Sequence, residues 1–198
     1  MAFEKVTQVH TYTINGLSVQ TGDLICTTDG GASFIRGQFW RMIGKIIPGD
    51  VDHIVIYTGP GGRCVEAGAK RMVIEFEVPN GVWNAEAMAD SRGGLIDELY
   101  GVADPVAGRG RGEREEANIR IDAANYCILQ AENRKPYNLA FNTPDIESAF
   151  YCSQLAYKAY LRHGINLNTD IGVPNIPFTQ TIVFPQEVWE ECKFKARP

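Results

Sequence analysis

The segment from Val51 to Ala67 is the feature that most restricts the fold of this chain. Residues 51–58 (VDHIVIYT) are rich in β-branched and aromatic side chains, which favour strands. They are followed by the turn sequence Gly59-Pro60-Gly61-Gly62, and residues 63–67 can return as a second strand. Two such runs joined by a short glycine-rich turn predict an antiparallel hairpin.

Several other segments have the periodicity of regular structure. Apolar residues at spacings of three and four predict helices over 32–46 and about 113–133. A further helix is predicted over 152–163, closed by Gly164, and a short last helix begins at Pro185. Strands are predicted at 21–26 and 72–78, whereas residues 80–111 give mixed signals with one strand near 99–102.

Composition narrows the class of protein and its partners. With 44% hydrophobic and 22% charged residues, the chain resembles an ordinary globular protein, and we expect residues 1–198 to form one domain. The net charge of −5 and the interspersed charges argue against nucleic acid as a partner. The sequence up to Leu17 lacks the apolar run of an export signal, and no later stretch is long enough to span a membrane. We therefore expect a cytoplasmic protein.

The five cysteines are odd in number, widely spaced and without a CxxC pair, so neither a disulfide framework nor a zinc site is predicted, and no cofactor is expected. Cys152 differs from the others in its position. It follows Phe150-Tyr151 and opens a predicted helix, where unsatisfied backbone N–H groups can stabilise a thiolate and an oxyanion. Packing and function are equally good explanations of Cys152 from position alone, whereas the other four are expected to be small buried hydrophobic residues.

Three histidines compete for the role of general base. His163 lies near the end of a predicted helix, where the helix dipole is a sufficient explanation for a basic residue, and His10 lies in a poorly defined segment. His53 begins a predicted strand, at an end of the sheet where a side chain can face a cleft. Taken alone, His53 would still more often be structural than catalytic.

A carboxylate is needed to orient the imidazole ring. If the hairpin turn contains an even number of residues, Val55 lies opposite Glu66, and Glu66 shares a face of the sheet with His53 and lies diagonal to it. An odd register would place the carboxylate on the other face. The alternative for Glu66 is an exposed carboxylate on a strand.

These motifs resemble the NlpC-type peptidase superfamily. His53-Ile54-Val55-Ile56-Tyr57-Thr58-Gly59 with Val65-Glu66-Ala67 is similar to its His strand, and Phe150-Tyr151-Cys152-Ser153-Gln154-Leu155 to its Cys helix. The histidine precedes the cysteine here, as in the circularly permuted YiiX/YaeF-like branch. The segments 21–25, 135–138 and 185–190 are similar to the same branch, so the resemblance covers most of the chain.

The resemblance implies an α+β, permuted papain-like fold, with an antiparallel sheet or small barrel packed against helices. It implies Cys152 as nucleophile, His53 as base and Glu66 as the orienting residue, with Tyr137 and Ser153 as candidates for contacts to the substrate or the oxyanion. Substrates of the family include peptide amides, as in cell-wall turnover, and lipid-like acyl esters or amides, as in lecithin:retinol acyltransferase-like relatives. Two departures are the missing export signal, which puts a cell-wall substrate in doubt, and Gln154, where an acid is common.

Two functions remain open at this point. The first is a cysteine-dependent hydrolase or acyl transferase that acts on an amide or ester bond. The second is a protein on the same scaffold that binds a small amine or amino acid without turnover, because a fold alone does not establish activity. The presence of Cys152, His53 and Glu66 together favours the enzyme.

Overall fold

A six-stranded antiparallel sheet is the centre of the structure, a computed structural model that describes residues 4–29, 48–175 and 179–198. Its strands are β3 (Leu24–Asp29), β4 (His53–Gly59), β5 (Arg63–Ala67), β6 (Val73–Glu77), β7 (Asp97–Asp104) and β8 (Phe194–Ala196), in the spatial order β6-β5-β4-β3-β7-β8. A separate hairpin joins β1 (Thr11–Ile14) to β2 (Leu17–Gln20). Four α-helices lie within the described residues: α1 (Ala85–Arg92), α2 (Glu113–Glu132), α3 (Cys152–Leu161) and α4 (Pro185–Glu191).

The predicted hairpin is confirmed as β4 and β5. Ile56 pairs with Val65 and Tyr57 with Cys64, which sets Val55 opposite Glu66 as expected. The register shifts only beyond Tyr57, next to the turn. Gly62 in that turn has a φ of +83°, and a Cβ there would lie 2.3 Å from the carbonyl oxygen of Val78, so a residue without a side chain is required.

The two faces of the sheet carry separate apolar clusters. Ile54, Ile56 and Val65 point into a larger core shared with α2, α3 and α4. Val55 and Tyr57, one position out of phase, point into a smaller core with the β1–β2 hairpin and α1. Alternate residues of β4 are therefore buried on opposite sides, which explains why this strand is an almost continuous apolar run.

The α+β class predicted from the sequence is confirmed, and the described strands form an open sheet with β6 and β8 at its edges rather than a closed barrel. The predicted helix over 32–46 lies outside the described residues. The β1–β2 hairpin, α1 and β8 were not predicted, and β7 extends beyond the predicted 99–102. The helix that begins at Cys152 ends at Leu161, so His163 lies beyond it and not in its last turn.

The missed helix α1 has clear local signals at both ends. The Asn84 side chain accepts a hydrogen bond from the backbone N–H of Ala87, and Gly93 ends the helix in the left-handed conformation. Between these ends the helix is polar and short, with a weak apolar pattern. Its stability therefore depends on the burial of Met88 and Arg92, which the sequence pattern does not reveal.

A search for membrane-spanning segments found no sufficiently long and apolar helix in the part of the chain that the structure describes.

Leu155 tests how much the contact of α3 with the sheet contributes to stability. Its side chain is fully buried in the larger core. We expect Leu155→Ala to lower the free energy of unfolding by about 2–5 kcal/mol, because the cavity cannot close completely. The matched control is Leu129→Ala, since Leu129 on α2 is 43% exposed. Urea denaturation of both variants measures the difference, and equal losses would contradict this account of the core.

Candidate active site

Cys152 is the first residue of α3, and its thiol lies at the helix N-terminus as predicted. The residue is only 6% exposed. The sulfur is hydrogen-bonded to the His53 side chain and to the backbone N–H groups of Ile54 and Ser153. The strand β4 and the start of α3 thus supply both the histidine and the amide donors around one sulfur atom.

His53 is the first residue of β4 and is partly exposed, with 13% of its side chain accessible. Its Nε2 atom lies 2.9 Å from Oε2 of Glu66. Since Nε2 is bonded to the carboxylate, the other ring nitrogen, Nδ1, is left for the contact with Cys152. A ring held between a carboxylate and a thiol has its orientation and tautomer fixed.

The electrostatic environment favours a thiolate–imidazolium pair. Burial by itself would raise the pKa of Cys152, but the charge of His53, its hydrogen bond and the two backbone N–H groups outweigh burial and bring the pKa below the usual value of a thiol. Burial would lower the pKa of His53, but the Cys152 thiolate and Glu66 outweigh it and raise this pKa. Both directions stabilise the charged form of the pair.

Glu66 is fully buried, and its register on β5 directs the carboxylate to His53. The alternative of an exposed carboxylate is therefore wrong. Burial would raise the pKa of Glu66, but the neighbouring positive charge of Arg92 and the bond to His53 keep it well below its usual range. Glu66 is accordingly ionised at neutral pH.

Arg92 and Asp97 complete the site and were not predicted from the sequence. Arg92 is fully buried at the end of α1, and its Nη2 donates to Oε2 of Glu66 at 2.7 Å. Its Nη1 donates to Oδ1 of Asp97, also at 2.7 Å. An arginine directly before a Gly-Gly helix end gives no sign of burial, so only the tertiary contact identifies it.

Tyr137 lies beside the chain segment that precedes the cysteine helix. Residue 137 bridges to Phe150 in the chain segment just before Cys152, and its ring packs edge-on against Phe141. Burial and the charge of Cys152 raise the pKa of its hydroxyl, so the phenol stays neutral. Tyr137 is thus close enough to Cys152 for the charge of the thiolate to act on its hydroxyl.

Ser153 contributes its backbone rather than its side chain. The hydroxyl is buried and donates to the carbonyl of Val183 at 2.7 Å. Its backbone N–H is one of the donors to the Cys152 sulfur. The Ser153 hydroxyl could donate to a substrate only after this bond to Val183 breaks.

Gln154 uses both the nitrogen and the oxygen of its side-chain amide in hydrogen bonds. Its amide nitrogen donates to the carbonyl of Ile146 at 3.0 Å and of Pro144 at 3.2 Å. Its amide oxygen accepts from the Asn138 side chain and from the backbone N–H of Tyr151. A carboxylate could accept these two bonds but has no N–H to donate to the carbonyl groups.

The remaining cysteines are neutral thiols, and the other two histidines lie elsewhere in the fold. Cys26, Cys64, Cys127 and Cys192 are free and buried, and burial raises the pKa of each thiol. Burial lowers the pKa of His163, which lies outside α3. His10 lies next to β1, where its backbone N–H bonds to the Thr21 hydroxyl.

The described residues contain no group of three or more His, Cys, Asp and Glu side chains arranged to hold a metal ion. Comparison with known proteins gives no relative for this chain: no family model, no curated protein and no solved structure matches it.

The role of Gln154 can be tested by Gln154→Glu. The carboxylate would face the carbonyl groups of Pro144 and Ile146 without a proton to donate, so we expect a loss of about 1–3 kcal/mol in the free energy of unfolding. Faster amide hydrogen exchange over 139–149 should accompany it. Gln20→Glu is the control, with the same charge change at an exposed strand residue. If the two variants behave alike in denaturation and exchange, Gln154 does not hold this segment.

The reactivities of the five thiols can be ranked by their rates of alkylation with iodoacetamide at pH 6. A cysteine paired with histidine at a helix N-terminus can have a pKa of roughly 3.5–7.5, so Cys152 should react well ahead of the other four. His53→Ala should remove most of this selectivity, because the counter-ion is lost. Peptide mapping by mass spectrometry identifies the labelled residue. Faster labelling of Cys26 or Cys64 would contradict the thiolate at residue 152.

Proposed function

We propose that the protein is a cysteine-dependent hydrolase or acyl transferase that acts on an amide or ester bond. The observation that carries this proposal is the contact of the Cys152 thiol with His53 at a helix N-terminus, with the histidine bonded in turn to the buried Glu66. Nucleophile, base and orienting carboxylate in one line are the arrangement that acyl transfer by a thiol requires. Burial alone would keep the thiol neutral, so the lowered pKa of Cys152 needs these neighbours.

In the proposed reaction, the Cys152 thiolate attacks the carbonyl carbon of the substrate and forms a C–S bond, while the carbonyl oxygen becomes an oxyanion. Backbone N–H groups at the start of α3, including that of Ser153, are suited to stabilise this charge. The oxyanion then collapses and the C–N or C–O bond breaks. The His53 imidazolium gives its proton to the leaving amine or alcohol, and a thioester remains on Cys152.

Release of the acyl group reverses these roles. Neutral His53 takes a proton from water, or from another acceptor, which attacks the thioester carbonyl. The C–S bond breaks, the acid or the new ester or amide leaves, and the proton returns to the sulfur. Glu66 stabilises the imidazolium in both halves and keeps the ring aligned through its bond to Nε2.

The chain order supports a permuted papain-like fold of the YiiX/YaeF-like type for this enzyme. The strand with His53 precedes the helix with Cys152, and that helix packs against β4. On this basis we propose a peptide-like amide or a lipid-like acyl ester as the substrate class.

The proposal is tested with short chromogenic acyl esters and aminoacyl amides, together with an acyl-directed thiol probe. We expect turnover by the wild type, loss of turnover to background in Cys152→Ala, and no change in Cys127→Ala, where a buried thiol of the same chain is removed. The thioester should be found on residue 152 by mass spectrometry.

The pH dependence follows from the directions of the two pKa shifts. The rate should rise as the pH passes upward through the lowered pKa of Cys152, and fall only when the raised pKa of His53 is exceeded. The active form thus covers neutral pH.

The acyl-probe experiment also distinguishes the enzyme from the alternative. If Cys152 carries no acyl adduct and the protein retains an amine or amino acid unchanged, the proposal of an enzyme is wrong and the chain is a binding protein on the same scaffold.

A further inference from the structure

A buried line of three charged side chains extends from the proposed site into the smaller core. This charge line consists of Glu66, Arg92 and Asp97. Arg92 lies between the two acids and donates hydrogen bonds from its guanidinium group to both. Towards Glu66, Nε donates at 3.1 and 3.2 Å and Nη2 at 2.7 Å. Towards Asp97, Nη1 and Nη2 donate at 2.7 and 2.9 Å. The guanidinium therefore binds both carboxylates in a bidentate manner.

The surroundings of the charge line keep water away. The guanidinium carbon of Arg92 lies 4.8 Å from the centre of the Phe76 ring and 4.9 Å from that of the Trp83 ring. Asp97 is held at its far side by the Thr27 hydroxyl, which donates to Oδ2 at 2.7 Å. In such an environment charges act on one another over several ångströms with little screening.

The net charge of the line determines how strongly it attracts the His53 imidazolium. Arg92 with Glu66 alone would be a neutral pair, and a neutral pair attracts an imidazolium only weakly. The second carboxylate, Asp97, balances Arg92, so the line as a whole keeps one net negative charge. The end of the line that faces the site is the Glu66 oxygen bonded to His53.

We propose that Asp97 is a positioning residue that, by balancing Arg92, leaves the negative charge of Glu66 available to the His53 imidazolium and so to the Cys152 thiolate. Two residues bonded to Asp97 are themselves required for this effect, since Arg92 connects it to Glu66 and the Thr27 hydroxyl fixes its carboxylate. The inference rests on the proposed function, because it assigns a purpose to the charge at His53.

Other ionisable groups face the line and the pair from neighbouring elements. Cys64 on β5 lies beside Glu66 and Arg92, and burial keeps this thiol neutral. Tyr137 and Cys26 lie near Cys152, and both are also neutral because burial raises their pKa values. Among the groups named here, the charges that face His53 at neutral pH therefore come from Cys152 and from the charge line.

The test is the pH dependence of Cys152 alkylation in Asp97→Asn. Asparagine keeps the shape of the side chain but not its charge, so we expect the midpoint of the profile to move upward by about one pKa unit, with about a tenfold slower reaction on its acid side. Glu66→Gln should move it in the same direction by at least as much. Thr27→Val, which releases Asp97 but keeps its charge, should give a smaller upward movement.

The matched control is Asp104→Asn. Asp104 is an acid bonded to another buried arginine, Arg120, and its bonds lead to Arg120 and to the turn at 106–107, so the variant removes a charge from the same kind of pair at a distance from His53. Its alkylation midpoint should equal that of the wild type, although its thermal stability falls. This comparison separates a charge effect at the site from a general loss of stability.

The outcomes distinguish the inference from the proposed function. If wild-type Cys152 has a low midpoint but Asp97→Asn and Thr27→Val leave it unchanged, the role of Asp97 is overturned and the cysteine enzyme remains. If wild-type Cys152 titrates as an ordinary thiol, the proposed ion pair itself is wrong. Should Asp97→Asn fail to fold, the upward movement in Thr27→Val alone supports the inference, and its absence overturns it.

Discussion

The buried contact of Glu66 with Arg92 is the interaction on which the rest of the site depends. A carboxylate without solvent exposure is costly unless it is paired and hydrogen-bonded, and here Arg92 supplies both. Arg92 in turn reaches both acids because α1 packs against β6, and the Arg92 side chain extends from the end of this helix to Glu66 on β5 and Asp97 on β7. A short polar helix that has little stability of its own is therefore required for an ionised acid behind His53.

Two features of the sequence bring the thiol to this acid. The almost continuous apolar run of β4 buries the strand on both faces, which holds the backbone of His53 and Ile54 rigidly beside α3. At the start of α3, the side-chain amide of Gln154 donates hydrogen bonds to two carbonyl groups of the preceding segment, which an ionised carboxylate could not do. The helix N-terminus is thereby fixed against the strand, and its amide groups face the Cys152 sulfur.

The sequence predicted the hairpin and the helix start at Cys152, and it reduced the hairpin register to two alternatives, because these features follow from local patterns. The opposition of Val55 and Glu66 depends only on turn length and the two-residue period of strands. Arg92 and Asp97 could not be predicted in the same way. Their pairing with Glu66 depends on how α1 and β7 pack, and Asn84 and Gly93 mark only the ends of the helix.

A comparison within the chain separates stability from function at buried ion pairs. Arg120 lies between Asp23 and Asp104 much as Arg92 lies between two acids, yet the acids around Arg120 bond to backbone groups of turns. That cluster fixes the chain near β3 and β7. In the charge line, by contrast, one carboxylate oxygen of Glu66 is hydrogen-bonded to the titratable ring of His53. Buried ion pairs rarely contribute more to the stability of a fold than apolar side chains of similar volume would. The arginine with two acids next to His53 is therefore better explained by the negative charge it maintains there than by stability alone.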